Sequence, residues 1–190
     1  MATAQSANLI VNADAEASPG GDGIPTPTIP GWTTIEGAPA VVRYGTSGYP
    51  TPDGPGPADR QANFLSGGDS PRTRLVQTIT LPEQESIDAG TATFDLGGWL
   101  GGYLDQDDGV RFSCEFLGVA GPPLGLAVLG PVSAAERGGG TGLWERRTSG
   151  VVPPGSRQAR VLLLFTRTGG TANDGYADSL SLTLTTGGAR

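Results

Sequence analysis

Asn173-Asp-Gly-Tyr-Ala-Asp-Ser-Leu-Ser-Leu-Thr-Leu184 sets the fold of this chain. Asn173, Asp174 and Gly175 predict a tight turn, because these residues tolerate the positive φ that a chain reversal demands. Beyond them Leu180, Leu182 and Leu184 alternate with Ser179, Ser181 and Thr183, the period-two pattern of a strand with one apolar and one wet face. Upstream, Val161-Leu-Leu-Leu-Phe165 is an unbroken apolar run, which predicts a strand buried on both faces. Two core strands around a carboxylate-bearing turn make this region the expected centre of fold and function.

Working outward, residues 8–16 open with a strand and then turn polar, and short apolar segments recur at 31–35, 40–44, 63–68, 74–81, 91–96, 109–117, 124–132, 141–151, 157–167 and 176–185. Ser133-Ala-Ala-Glu-Arg137 suits a single helical turn, and no segment has the period of a longer amphipathic helix. About ten strands at short spacing predict an all-β, antiparallel β-sandwich of jelly-roll type. The 32 glycines and 16 prolines then fall mainly in turns. The stretches 18–30 and 45–60 are dense in both: the first predicts a loop, and 45–60 an exposed, polyproline-like loop of the length that is functional or mobile. The organisation expected is an N-terminal arm at 1–7, one sandwich domain over 8–185 with the 45–60 loop, and a C-terminal tail at 186–190.

A chain of 190 residues closes a sizeable core without staples. Its net charge is −7 and all twelve basic residues are arginine. That unclustered acidity argues against nucleic acid, which needs a positive field. Cys114 is the only cysteine and there is no histidine. An intrachain disulfide is therefore impossible, and the common zinc and copper ligand sets and the His-based nucleophile pairs are missing. Cys114 is expected to be a small buried hydrophobe. No run reaches the length of a membrane span, and residues 1–7 lack the basic and apolar regions of a signal peptide. Such a chain is expected to act where it is made, to leave by another route, or to have lost a leader.

Asn8-Leu-Ile-Val-Asn-Ala-Asp-Ala-Glu16, with Pro30-Gly-Trp32 after it and Tyr176-Ala-Asp-Ser-Leu-Ser-Leu182 near the end, resembles carbohydrate-binding modules of the galactose-binding-like jelly-roll superfamily. Those modules typically open Asn-Leu-Leu-x-Asn-Gly-Asp-Phe-Glu and finish with an aromatic, a small residue, Asp and an alternating Leu/Val strand. Here Ala13 and Ala15 stand where Gly and Phe are usual. The resemblance implies a structural calcium ion stapling the first strand to the last, held by Glu16 and Asp178 with oxygens around Asn12 and Asp14, the all-oxygen set that Ca²⁺ prefers. The competing assignment makes Glu16 an exposed strand-end acid and has Asp178 bond to backbone amides.

For a sugar ligand, Asn173 or Asp174 is expected to project from the sandwich edge toward hydroxyls. Trp99, Tyr103 or Tyr176 would stack on the ring, since sugars offer both C–H faces and hydroxyls. Such aromatics are more often core than ligand platform, and Trp99 is the expected exception because Gly-Gly pairs flank it on both sides. Asp105-Gln-Asp-Asp-Gly109 lacks the ligand spacing of an EF-hand and reads as a solvated turn. Arg167 is placed to pair with Asp174 or Asp178. The function expected is non-catalytic binding of carbohydrate or a cell-surface glycan. Display on a bacteriophage virion, released by lysis and in contact with other virion subunits, fits the absence of an export signal. The alternatives are a purely structural virion decoration protein and, more remotely, a glycoside-active enzyme with a carboxylate pair.

Overall fold

A computed structural model describes residues 3–187. Its elements in chain order are β1 (Ala4–Gln5), β2 (Thr33–Glu36), β3 (Ala40–Arg43), β4 (Asn63–Gly68), β5 (Arg72–Thr80), α1 (Gln84–Asp88), β6 (Thr93–Gly102), β7 (Gly109–Leu117), β8 (Gly125–Leu129), β9 (Gly142–Val151), β10 (Gln158–Thr166) and β11 (Asn173–Thr186). One sheet runs β3-β4-β11-β6-β9 with β1 alongside β11, and the other runs β2-β5-β10-β7-β8. Every strand pairing is antiparallel. The all-β sandwich is as expected. Among the described residues no helix is long and apolar enough to cross a membrane.

The core lies between the sheets. It is filled by the inward residues of both layers, among them Leu75, Leu100, Phe112, Phe116, Leu163, Phe165, Leu182 and Leu184. On β11 the alternation continues to the end of the strand, with Leu180, Leu182 and Leu184 all buried. β10 departs from expectation. Val161, Leu163 and Phe165 are buried, but Leu162 and Leu164 lie half-buried on the outer face of the five-stranded sheet, so this strand is covered on one side only. Cys114 is buried, and burial pushes its thiol up to about 12.

The Asn173-Asp-Gly turn is also displaced. Asn173 begins β11 and pairs with Gly68 of β4, with a register shift before Tyr176; the reversal occurs in the residues before it. Likewise the strand expected at 8–16 sits at Ala4–Gln5, opposite Thr186 and Thr185. Residues 8–16 follow β11 irregularly. The amides of Leu9 and Leu180 donate to the carbonyls of Leu182 and Ala13 at 2.9 and 3.0 Å. Gln77 docks this segment on the other layer, accepting from the Val11 amide at 2.8 Å and donating to the carbonyls of Val11 and Gly31 at 3.1 and 2.8 Å. The ends of the expected arm and tail, 1–2 and 188–190, lie outside the described residues.

The 45–60 loop is fastened down. It folds over the outer face of the six-stranded sheet, where Ala40, Val42, Phe64, Leu143 and Tyr176 form a second apolar cluster with Tyr44, Tyr49, Trp99 and Tyr103 against it. Arg60 ties the loop to itself, donating to the carbonyls of Pro57, Gly54 and Thr51 at 2.7, 2.9 and 3.1 Å. Its guanidinium stands 5.1 Å from the centre of the Tyr44 ring. The carbonyl of Pro55 accepts from the Leu143 amide of β9 at 3.0 Å.

Candidate functional site

The pleat of β6 decides which side chains leave the core. Leu96 and Leu100 point inward, as does Gly98, where a Cβ would come 2.8 Å from Leu180. Asp95, Gly97, Trp99 and Gly101 therefore point outward. Trp99 stands opposite Glu145 on β9 and Asp178 on β11. Its neighbours on the same face of the strand are both glycine. A Cβ on Gly101 would sit 1.8 Å from the Gly142 carbonyl oxygen, and one on Gly97 would sit 2.8 Å from the Ser181 hydroxyl. The glycines let adjacent backbone close in and leave the indole as a half-buried platform.

Trp99 lines an open cleft of about 490 Å³. One wall is the opening segment, with Asn8, Asn12 and Asp14; another is the end of the long loop, with Asp59 and Gln61; Ser179, Ser181 and Arg147 complete it. A bulge in β11 between Asp178 and Ser181 shapes one side, with Ser179 at φ 47°. Asn12, at φ 50°, fixes the opening turn: its Oδ1 accepts from the Ala17 amide at 2.9 Å and its Nδ2 donates to the Pro30 carbonyl at 2.8 Å. The Trp32 indole donates to the Asn12 carbonyl at 3.1 Å. Arg147 is held by Glu145 and Asp95 at 2.7 and 3.0 Å. The cleft thus offers an aromatic face ringed by amides, hydroxyls and carboxylates.

Behind it lies an acidic group that joins the two ends of the domain. Asp178 is 1 % exposed. Its Oδ2 accepts from the Tyr44 hydroxyl and its Oδ1 from the Ser179 amide, both at 2.6 Å. Burial raises its carboxyl to about 7 and the nearby charges of Asp14 and Glu16 push the same way, against the two hydrogen bonds. Burial, followed by the charge of Asp178, pushes the Tyr44 phenol up in turn. Glu16 Oε1 accepts from the amides of Ala62 and Asn63 at 2.8 and 2.7 Å, and Asn63 Nδ2 donates to Glu16 Oε2 at 3.2 Å. Asp14 accepts from Gln61 Nε2 at 3.1 Å.

These residues fit a hard cation in their chemistry. The donor atoms are all oxygen, and Asp178 is a buried acid facing the like charges of Asp14 and Glu16; the buried oxygens Ser18 Oγ and Asn63 Oδ1, the latter turned toward Gly20, have no hydrogen-bond partner among the described residues. Among the described residues, however, no three acidic, histidine or cysteine side chains are grouped to hold a metal ion. Carboxylates would have to be supplemented by amide, hydroxyl and carbonyl oxygens.

Of the expected sugar contacts, Trp99 alone lines the cleft. Asn173 is fully buried, donating to the Ser70 carbonyl at 3.0 Å, because β11 has already begun at this residue. Tyr176 is also fully buried; its ring meets Phe64 edge-on at 5.3 Å, and its hydroxyl donates to Asp174 at 2.9 Å. Tyr103 packs on the same cluster. Asp174 is half-buried, with its carboxyl raised by burial and, less, by Asp108.

Two further expectations are corrected. Asp108 is fully buried and not a solvated turn residue. It accepts from the amides of Thr168, Gly169 and Asp174 and from the Thr168 hydroxyl at 2.6–3.0 Å. Arg167 pairs with neither aspartate but donates to the carbonyls of Thr171 and Asp69. Reasoning from sequence missed Asp59, Gln61 and Arg147, which nothing local marks as lining one cleft. Ser179 and Ser181 were legible as the wet face of the last strand.

No family model and no curated protein matches the sequence. Solved structures do share its fold. Family 16 Carbohydrate Binding Module-2 is similar at 16 % identity and a TM-score of 0.59, over 92 % of this chain and 99 % of that one. A cyclase from Fischerella sp. TAU is similar at 15 % identity and a TM-score of 0.60, over 95 % and 98 %. The enzymatically active domain of tailspike protein 4 from bacteriophage CBA120 is similar at 16 % identity and a TM-score of 0.56, over 92 % of this chain but only 21 % of the tailspike chain. At such identities the likeness is one of fold, and function has to come from the site.

Proposed function

We propose that this chain is a non-catalytic carbohydrate-binding module whose ligand lies in the cleft over Trp99. The observation that carries this is the half-buried indole on the outer face of β6, its strand neighbours reduced to glycine, in a cleft edged by Asn8, Asn12, Asp14, Asp59, Gln61 and two serines. An indole face takes the C–H side of a sugar ring while planar amides and carboxylates take its hydroxyls. The shared fold with a carbohydrate-binding module supports the reading, and likeness to part of a phage tailspike makes display on a virion, beside other virion subunits, the context we favour. A cyclase on the same fold shows that the scaffold alone does not separate binding from catalysis.

A calcium ion belongs to the same proposal. Glu16 and Asp178 would hold it, with Asp14 and oxygens near Asn12, and when bound it would supply the positive charge that lets Asp178 ionise. Its role would be structural, fastening the opening segment to β11.

A glycan array run with and without chelator tests the proposal, followed by calorimetry on any hit. Binding that is lost in Trp99→Ala while a cooperative melting transition shows the variant still folded is the expected result. An array blank in both conditions at high protein concentration would overturn it and leave a purely structural virion role.

A further inference from the structure

Among the described residues five strands have a neighbour on one side only, and four are visibly closed to further pairing; β1 is just two residues long. β3 is covered by residue 21, whose amide donates to the Val41 carbonyl at 2.9 Å and whose carbonyl accepts from the Arg43 amide at 3.0 Å. β9 carries Glu145, Arg146 and Arg147. β2 is four residues long, ends in Glu36 and slips register against β5. Short, bulged, charged or covered edges are how β-proteins avoid unwanted strand addition.

β8 has none of these devices. Gly125-Leu-Ala-Val-Leu129 carries no charge and no proline, and pairs with β7 along its whole length. Among the described residues no hydrogen bond joins it to any other element. Leu126 and Val128 point to the outer face and are 63 % and 42 % exposed, while in the connection from β7 Leu124 is 46 % and Val119 94 % exposed. On β7 Glu115 stands opposite Leu126 and is paired with Arg160 of β10.

The pattern is complementary to itself. A second β8 laid antiparallel with Ala127 opposite Ala127 puts Leu126 of each copy opposite Val128 of the other. The four apolar side chains meet on one face, small alanines meet on the other, and no charge opposes a like charge. A chain of net charge −7 gains from a seam that contains no charge at all, since its copies repel elsewhere. We propose that β8 is the seam of a two-fold homodimer, in which the two five-stranded sheets continue into one.

Sedimentation velocity of the full chain over a concentration series tests this. The parent is expected to dimerise, and Leu126→Glu and Val128→Lys are each expected to lose the dimer. The double variant L126E/V128K is expected to regain it, because the register sets each new carboxylate opposite the new ammonium of the other copy. Ile35→Lys, on the opposite edge, should leave the dimer intact. Positions 126 and 128 are exposed, so the variants should melt like the parent, and melting curves verify it. A parent that stays monomeric overturns the proposal and leaves the edge for a strand of some other protein. A dimer that survives either single charge, or a double variant that fails to reassociate, overturns it equally.

Discussion

Replacing Asp178 with Asn should make the protein more stable at pH 8 and remove most of its pH dependence below that. The folded carboxyl titrates near 7, against 3.8 for an ordinary aspartate, so between those values the folded state holds a proton that the unfolded chain has released. The stability from this group is fully present below about pH 3.8 and is lost as pH rises through 7. A displacement of roughly three units at about 1.4 kcal/mol each gives on the order of 4 kcal/mol. For a domain of this size that corresponds to roughly 10 °C in Tm. Asparagine keeps an oxygen for the Ser179 amide and carries no charge beside Asp14 and Glu16. The assay is thermal melting from pH 5 to 8 in chelator. Parent Tm should fall across the window and Asp178→Asn should stay nearly flat, with a smaller residual slope of the same sign from Asp174, whose carboxyl is also raised. Equal slopes in the two proteins, or a parent that gains stability toward pH 8, would refute the assignment of the buried acid.

Other outcomes can be checked in the same laboratory. Calcium added at pH 8 should raise the Tm of the parent and leave Asp178→Ala unchanged; no calcium effect in either would remove the ion from the proposal. Trp99→Ala should weaken glycan binding at least tenfold, about 1.4 kcal/mol, by calorimetry; unchanged affinity would move the ligand out of this cleft. Gly101→Ala should cost about 3 kcal/mol in urea unfolding, because the added methyl meets the fixed Gly142 carbonyl, and a loss under about 1 kcal/mol would contradict that packing. Asp108→Ala strips four donors of their acceptor and should cost about 3 kcal/mol or more, read in the same urea titration; a near-neutral result would show that water replaces the carboxylate.

Much of this was already written in the chain. The Leu180, Leu182, Leu184 alternation and the many short apolar segments fixed a sandwich, because period-two burial is a local property of a strand. The opening and closing motifs brought the two ends together, and the amides and carbonyls of Leu9, Ala13, Leu180 and Leu182 bear this out. Trp99 could be singled out because glycines on both sides of an aromatic are visible in one dimension.

What only tertiary structure decided is which face each residue meets and what covers it. Leu162 and Leu164 sit in an apolar run and still point outward. Tyr176 and Asn173 look poised for a ligand and are buried, because the 45–60 loop closes over their sheet and β11 starts earlier than its turn residues suggest. Arg60 makes that loop a lid by binding three carbonyls of its own turn, and Asp108 becomes a buried anchor only once a loop some sixty residues away supplies its donors. Hydrophobic periodicity is a property of neighbours along the chain; burial and hydrogen-bond satisfaction are settled by segments far apart in sequence, so the first could be read directly and the second had to be seen folded.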